Sequence, residues 1–149
     1  MWCERAPASE REGHRLNRPT LARVAGRFAV ARLAADAPIP SWAAHALATP
    51  SSLASVTRTA EELSIVCDDA TVPSDVRAER DFAVFRVAGT IDFSVVGLLA
   101  TLTRALADAG VSVFALSTFD TDYLLVRTRD LPRARGVLAS VAVLVDERQ

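Results

Sequence analysis

Gly110-Val111-Ser112-Val113-Phe114-Ala115-Leu116-Ser117-Thr118-Phe119-Asp120-Thr121-Asp122-Tyr123-Leu124-Leu125-Val126 is the stretch on which the fold turns. Val111 to Thr118 is rich in β-branched and aromatic residues, the composition of a strand. Asp120-Thr121 has turn chemistry, and Tyr123 to Val126 returns as the hairpin partner. Gly110, just before the hairpin, is a helix-stop residue.

The segments on either side complete a unit. Upstream, Phe82 to Ala88 is strand-like and Gly89 ends it. Asp92 or Ser94 then caps a predicted helix running to about Ala109, with Val95, Leu98, Leu99, Leu102 and Leu106 on one stripe. Downstream, Asp130 caps a second helix with Pro132 in its first turn, where the missing N–H is harmless. Leu131, Ala134, Val137 and Leu138 line that helix, and Val141 to Val145 forms a last strand. The order is βαββαβ, an α+β ferredoxin-like layer of two helices on one antiparallel sheet.

The N-terminal half is weaker in pattern. Gly26 to Leu33 alternates as a strand, and Pro38, Pro40 and Pro50 break the next segment into loop with Trp42 and Leu47 tucked beneath it. Leu53 to Arg58 and Leu63 to Cys67 are further strands. Thr59-Ala60-Glu61-Glu62 between them has capping-box spacing, which predicts a single helical turn. Val72-Pro73-Ser74-Asp75 is a linker. Three strands with short or missing helices suggest a degenerate, β-rich copy of the same unit. The chain therefore divides into a polar, flexible extension over residues 1–24, a degenerate subdomain over 25–76 and the complete unit over 77–149.

Composition narrows the function classes. Of 149 residues, 50% are hydrophobic and 23% charged, enough to build a core. Seventeen basic residues, all arginine, face eighteen acidic ones, so there is no electrostatic footprint for nucleic acid or an anionic membrane. Cys3 and Cys67 make no disulfide framework, and Cys67 closes an apolar run as a buried free thiol would. His14 and His45 stand alone, without partners at metal-ligand spacing. No motif calls for a cofactor. No apolar run is long enough to span a bilayer, and the N-terminus lacks the apolar segment of a secretory signal, so a cytoplasmic protein is expected.

Val87-Ala88-Gly89-Thr90-Ile91-Asp92-Phe93-Ser94-Val95-Val96-Gly97-Leu98-Leu99 resembles the strand–loop–helix entry of ACT domains of the aspartokinase type. Gly110 to Tyr123 resembles the hairpin of the same group. With Gly26 to Leu33 and Ser55 to Cys67, the resemblance spans about residues 25–140. The chain is similar to small bacterial stand-alone tandem-ACT proteins, whose relatives include animal cytosolic arginine sensors. That resemblance implies two ACT units in tandem, a homodimer, and a free amino acid held where the loop and helix start of one unit face the second strand of its partner. It also implies a non-catalytic regulator of another, unknown protein.

The candidate site is built from ligand chemistry. An amino acid's carboxylate suits a helix N-terminus, here Asp92 to Gly97, where unpaired N–H groups and the positive dipole end converge. Gly97 is odd inside a helix, because glycine costs about 1 kcal/mol there relative to alanine. Either a ligand or partner backbone approaches it, or the helix packs too tightly on the sheet for a Cβ. Asp122 is the candidate for the ammonium, with hairpin-turn chemistry as the plain alternative; Asp120 is the solvated turn residue. Thr118 supplies a hydroxyl or backbone contact and Phe119 an apolar wall. Family position adds Val95, Val96 and Leu98 from the helix start, and Ser112 and Val113 from the partner's strand edge. Asp92 either meets a cationic side chain or simply caps the helix. A dimerisation scaffold whose pocket holds no ligand is the second reading. An enzyme is the third, and the weakest in support: Ser117 and Thr118 have no histidine nearby in sequence, and there is no Gly-rich phosphate loop.

Overall fold

The computed structural model describes residues 18–49 and 53–146. The expectation of a polar extension therefore falls mostly outside the described residues. The elements in chain order are β1 (Thr20–Leu33), α1 (Ser41–Ala48), β2 (Ser55–Arg58), β3 (Leu63–Asp68), β4 (Ala78–Val87), α2 (Leu98–Asp108), β5 (Val113–Ser117), β6 (Asp122–Arg127), α3 (Leu131–Val141) and β7 (Val143–Asp146). From β4 onward they run βαββαβ, as the pattern predicted. Among the described residues no helix is long and apolar enough to cross a membrane.

β1 is the strand that unites the molecule. It is 14 residues long and begins well before the predicted Gly26. Gly26 had the look of a boundary because glycine punctuates strands. Here it sits at φ +90° at an irregularity where the β1–β4 register shifts, so the strand bends and continues. The late residues of β1, Phe28–Leu33, pair with β3. Its first residues, Thr20–Arg23, lie between the end of β4 and β7, which runs parallel to them. The sheet order is β2-β3-β1-β4-β6-β5, with β7 also on β1. The last strand of the βαββαβ unit thus reaches the sheet through a strand from the other half of the chain.

The three α-helices among the described residues serve one face. Leu21, Ala83, Phe85, Val87, Leu124 and Val126 pack there against Leu102 and Leu106 of α2 and Ala134 and Leu138 of α3. Ala29, Ala31, Leu63, Ile65 and Cys67 pack against α1 through Ala43. Each fully buried leucine contributes about 1.5–3 kcal/mol by leaving water. The opposite face carries Phe28, Val66, Phe82, Val84 and Leu125, also buried. No helix covers it. The sheet curls instead, so that Phe114 of β5 lines the same cavity as Val30 of β1 although β4 and β6 lie between their strands.

Three local expectations change. The proline-broken segment after Pro40 is a helix, α1, because Ser-Trp-Ala-Ala-His-Ala-Leu-Ala is alanine-rich and a proline ahead of a helix does not disturb it. Leu47 is exposed rather than tucked in. Thr59 to Glu62 does not form a helical turn. The Thr59 hydroxyl accepts the N–H groups of Glu61 and Glu62 as a capping residue would, yet the Thr59 N–H donates to the Glu62 carbonyl at 2.9 Å and closes the β2–β3 hairpin. Finally, α2 begins at Leu98 rather than at Asp92, and residues 92–97 are loop.

Candidate functional site

Loop 91–95 and hairpin 117–122 meet because the backbone joins them: the Ile91 N–H donates to the Asp120 carbonyl at 2.7 Å. Beneath the hairpin, Thr121 is only 7% exposed and its hydroxyl donates to the Val87 carbonyl at 2.6 Å. That bond anchors the turn to the last residue of β4. The Thr118 N–H and hydroxyl both donate to the Thr121 carbonyl, at 2.8 and 3.0 Å, which tightens the turn. Thr121 looked like a plain turn former. No sequence signal distinguishes a threonine that turns the chain from one that also ties it to a neighbouring strand.

Between the loop and the hairpin lies a cleft of about 230 Å³. Five of the expected residues line it: Asp92, Val95, Thr118, Phe119 and Asp122. Ile91, Phe93, Ser117, Asp120 and Thr121 line it too. The Asp122 carboxylate accepts the Ser117 hydroxyl at 2.5 Å, across the first pair of the β5–β6 ladder. Asp92 accepts both the hydroxyl of Ser94 at 2.5 Å and its N–H at 2.8 Å. Those two bonds to Ser94, the hydroxyl first, hold the Asp92 carboxyl below its ordinary value. Asp92 therefore closes a turn within the loop and does not cap α2.

The rim is apolar. Phe93 and Phe119 are about four-fifths exposed and meet edge to face, with ring centroids 5.2 Å apart. Val96 is as exposed as they are but lies outside the cleft lining. Phe93 was absent from the expected set because a periodic reading of 92–106 gives it no role on the stripe.

The other expected residues are not brought to the cleft. Leu98 packs onto the core under α2. Gly97 precedes α2 at φ +84°, and among the described residues no atom beyond its chain neighbours lies within 4 Å of where its Cβ would be. Tight packing on the sheet is therefore excluded as its reason, and the left-handed backbone is sufficient cause. Ser112 and Val113 stand at the start of β5, the end away from Ser117. A larger groove of about 550 Å³ runs between α2 and α3, but its charged residues are an Arg104–Asp108 pair joined within α2. Among the described residues no group of histidine, cysteine or acidic side chains is placed to hold a metal.

Comparison with known proteins agrees with the fold. Residues 77–140 match the family model of the ACT domain, and residues 26–75 match the model of a separate N-terminal domain. The chain is similar to a protein from Agrobacterium tumefaciens solved by crystallography: 35% identity, 89% of this chain and 96% of that one covered, TM-score 0.79. A Vibrio cholerae protein of unknown function is 16% identical over 79% of this chain and 85% of its own, with TM-score 0.60. The ligand-free regulatory subunit of aspartate kinase from Thermus thermophilus is 12% identical over 81% of this chain and 96% of its own, with TM-score 0.57.

Proposed function

This chain belongs to the ACT-domain family and has the fold of aspartate kinase regulatory domains, and from that premise we propose that it is a non-catalytic regulatory module that binds a free amino acid between ACT units of a homodimer. The observation that carries the reading is the cleft, in which three aspartates and two exposed rings converge on one loop and one hairpin. Asp122 takes the ammonium, Thr118 a polar contact, and Phe119 with Phe93 the side chain. Exposed apolar side chains clustered in this way mark an interaction surface. The partner protomer covers them, with its Ser112 and Val113 strand edge toward the ligand and Val96 and Gly97 toward the dimer contact. A cytoplasmic location and a regulated partner protein belong to the same proposal.

The test is thermal or chemical denaturation of the purified chain with each of the twenty amino acids. A ligand that binds only the native state stabilises it by about 2.7 kcal/mol at 100 times its Kd. Asp122→Ala should abolish that stabilisation and leave the dimer intact. No response to any amino acid would sink the reading.

One observation favours a ligand-free dimerisation scaffold instead. The Ser117 hydroxyl already satisfies one Asp122 oxygen, as a purely structural turn would require. On that reading Asp122→Ala lowers the stability of the free protein and there is no ligand response to lose.

A further inference from the structure

The mouth of the curled sheet holds a second cavity, of about 210 Å³, which shares no lining residue with the hairpin cleft. Its polar walls are Arg32, Glu62, Ser64, Arg77 and Glu79, and Phe114 reaches it from β5. Charge is not balanced there. Glu62 is held by the Arg32 guanidinium at 2.7 Å, and Glu79 is paired with Arg127. Arg127 is itself fixed, stacked 4.4 Å over the Phe82 ring. Both carboxylates of the wall are thus engaged. The Arg77 guanidinium makes no hydrogen bond or ion pair among the described residues, and neither does the Ser64 hydroxyl. The Arg77 backbone, by contrast, is pinned, its carbonyl accepting the Arg32 N–H at 2.9 Å.

A free guanidinium on a fixed backbone, a free hydroxyl and an aromatic ring around one cavity make a complementary set. The guanidinium fork matches a carboxylate bidentately, the hydroxyl adds a donor, and Phe114 with Val30 offers apolar contact. The cavity lies below the roughly 300 Å³ at which pockets for drug-sized ligands begin. We propose that it is a second ligand site, for a small monocarboxylate with a short aliphatic or aromatic body, with Arg77 binding the carboxylate and Phe114 the body. The site does not depend on the amino-acid reading of the hairpin cleft. Because Phe114 lies on β5, whose far end carries Ser117, its occupant rests on the strand that leads to that cleft.

Amide NMR of the full ¹⁵N-labelled chain, titrated with benzoate and with butyrate, tests the site; benzamide and inorganic phosphate are the controls. The expected result is saturable shifts centred on Arg32, Ser64, Arg77, Glu79 and Phe114 with the carboxylates and none with benzamide. Arg77→Ala should weaken benzoate by about tenfold or more, since a charge-assisted bidentate contact is lost. Phe114→Ala should weaken benzoate more than butyrate, which keeps the proposal testable should Arg77→Ala fail to fold. Asp122→Ala should leave the titration unchanged, separating this site from the first. The proposal is overturned by an equal response to benzamide, by phosphate binding as well as the carboxylates, by unaltered binding in Arg77→Ala, by the absence of saturable shifts, or by shifts centred on residues 91–95 and 117–122.

Discussion

Over the C-terminal half of the sheet, α2 and α3 press Leu102, Leu106, Ala134 and Leu138 against Phe85, Leu124 and Val126. Over the N-terminal half, α1 presses one fully buried residue, Ala43, against Ala29, Ala31 and Leu63. The same face of one sheet is therefore held in two ways, by large side chains at one end and by close approach of small ones at the other. Burial energy scales with apolar area, so the C-terminal half carries more of the stability. The hairpin cleft is anchored to that half through Thr121 and the end of β4.

The strongest way to break this comparison is to truncate each half in turn. Leu106→Ala should cost about 2–5 kcal/mol, from lost transfer energy plus the cavity left behind. Ala43→Gly should cost about 0.5–1 kcal/mol, the helix penalty of glycine. Urea titration followed by circular dichroism measures both, and equal costs would mean that the two halves share the load evenly. Next in size is the anchor of the hairpin. Thr121→Val keeps the shape but removes the donor to the Val87 carbonyl, and should cost about 1–3 kcal/mol. If it costs nothing, the cleft is held by its loop alone.

A smaller effect is expected at the start of α2. Gly97→Ala forces a Cβ into a left-handed backbone and should cost about 1–2 kcal/mol by strain alone. No neighbour stands near enough to add a clash, so Gly97→Asn should recover much of the loss. The smallest expected effect is on the N-terminal half. Burial, with help from Asp68 and Asp69, pushes the Cys67 thiol up to about 11. The fold prefers the neutral thiol, so this contribution is fully present below the unfolded thiol value and is lost as pH rises through about 11. The alkaline limb of a stability–pH curve should flatten in Cys67→Val, and native Cys67 should resist alkylation at neutral pH.

The βαββαβ order was legible because its signals are local. The stripe Leu98, Leu99, Leu102 and Leu106, the Gly110 stop and the alternation through β5 and β6 each depend on residues a few positions apart. The loop before α2 was misread for the same reason. Asp92, three residues ahead of Val95 at the head of the expected stripe, has cap chemistry wherever it stands, but its carboxylate is spent on Ser94. Half of the expected site lines the cleft. Leu98, Ser112 and Val113 do not, because family position marks residues along the chain without saying which way each side chain faces within one protomer.

By itself, then, the amino-acid sequence determined the elements of the C-terminal unit, the hairpin at its centre and the carboxylates that ring it, all matters of short-range periodicity and turn chemistry. Tertiary structure alone decided that β1 passes Gly26 and lies between β4 and β7, so that the two halves share one sheet. It also decided that the sheet curls until Phe114 faces Val30, and that Thr121 is buried while Phe119 is left in water. Strand order and curl arise from pairings between residues far apart in the chain. No periodicity within a segment encodes which distant segment will supply its hydrogen bonds.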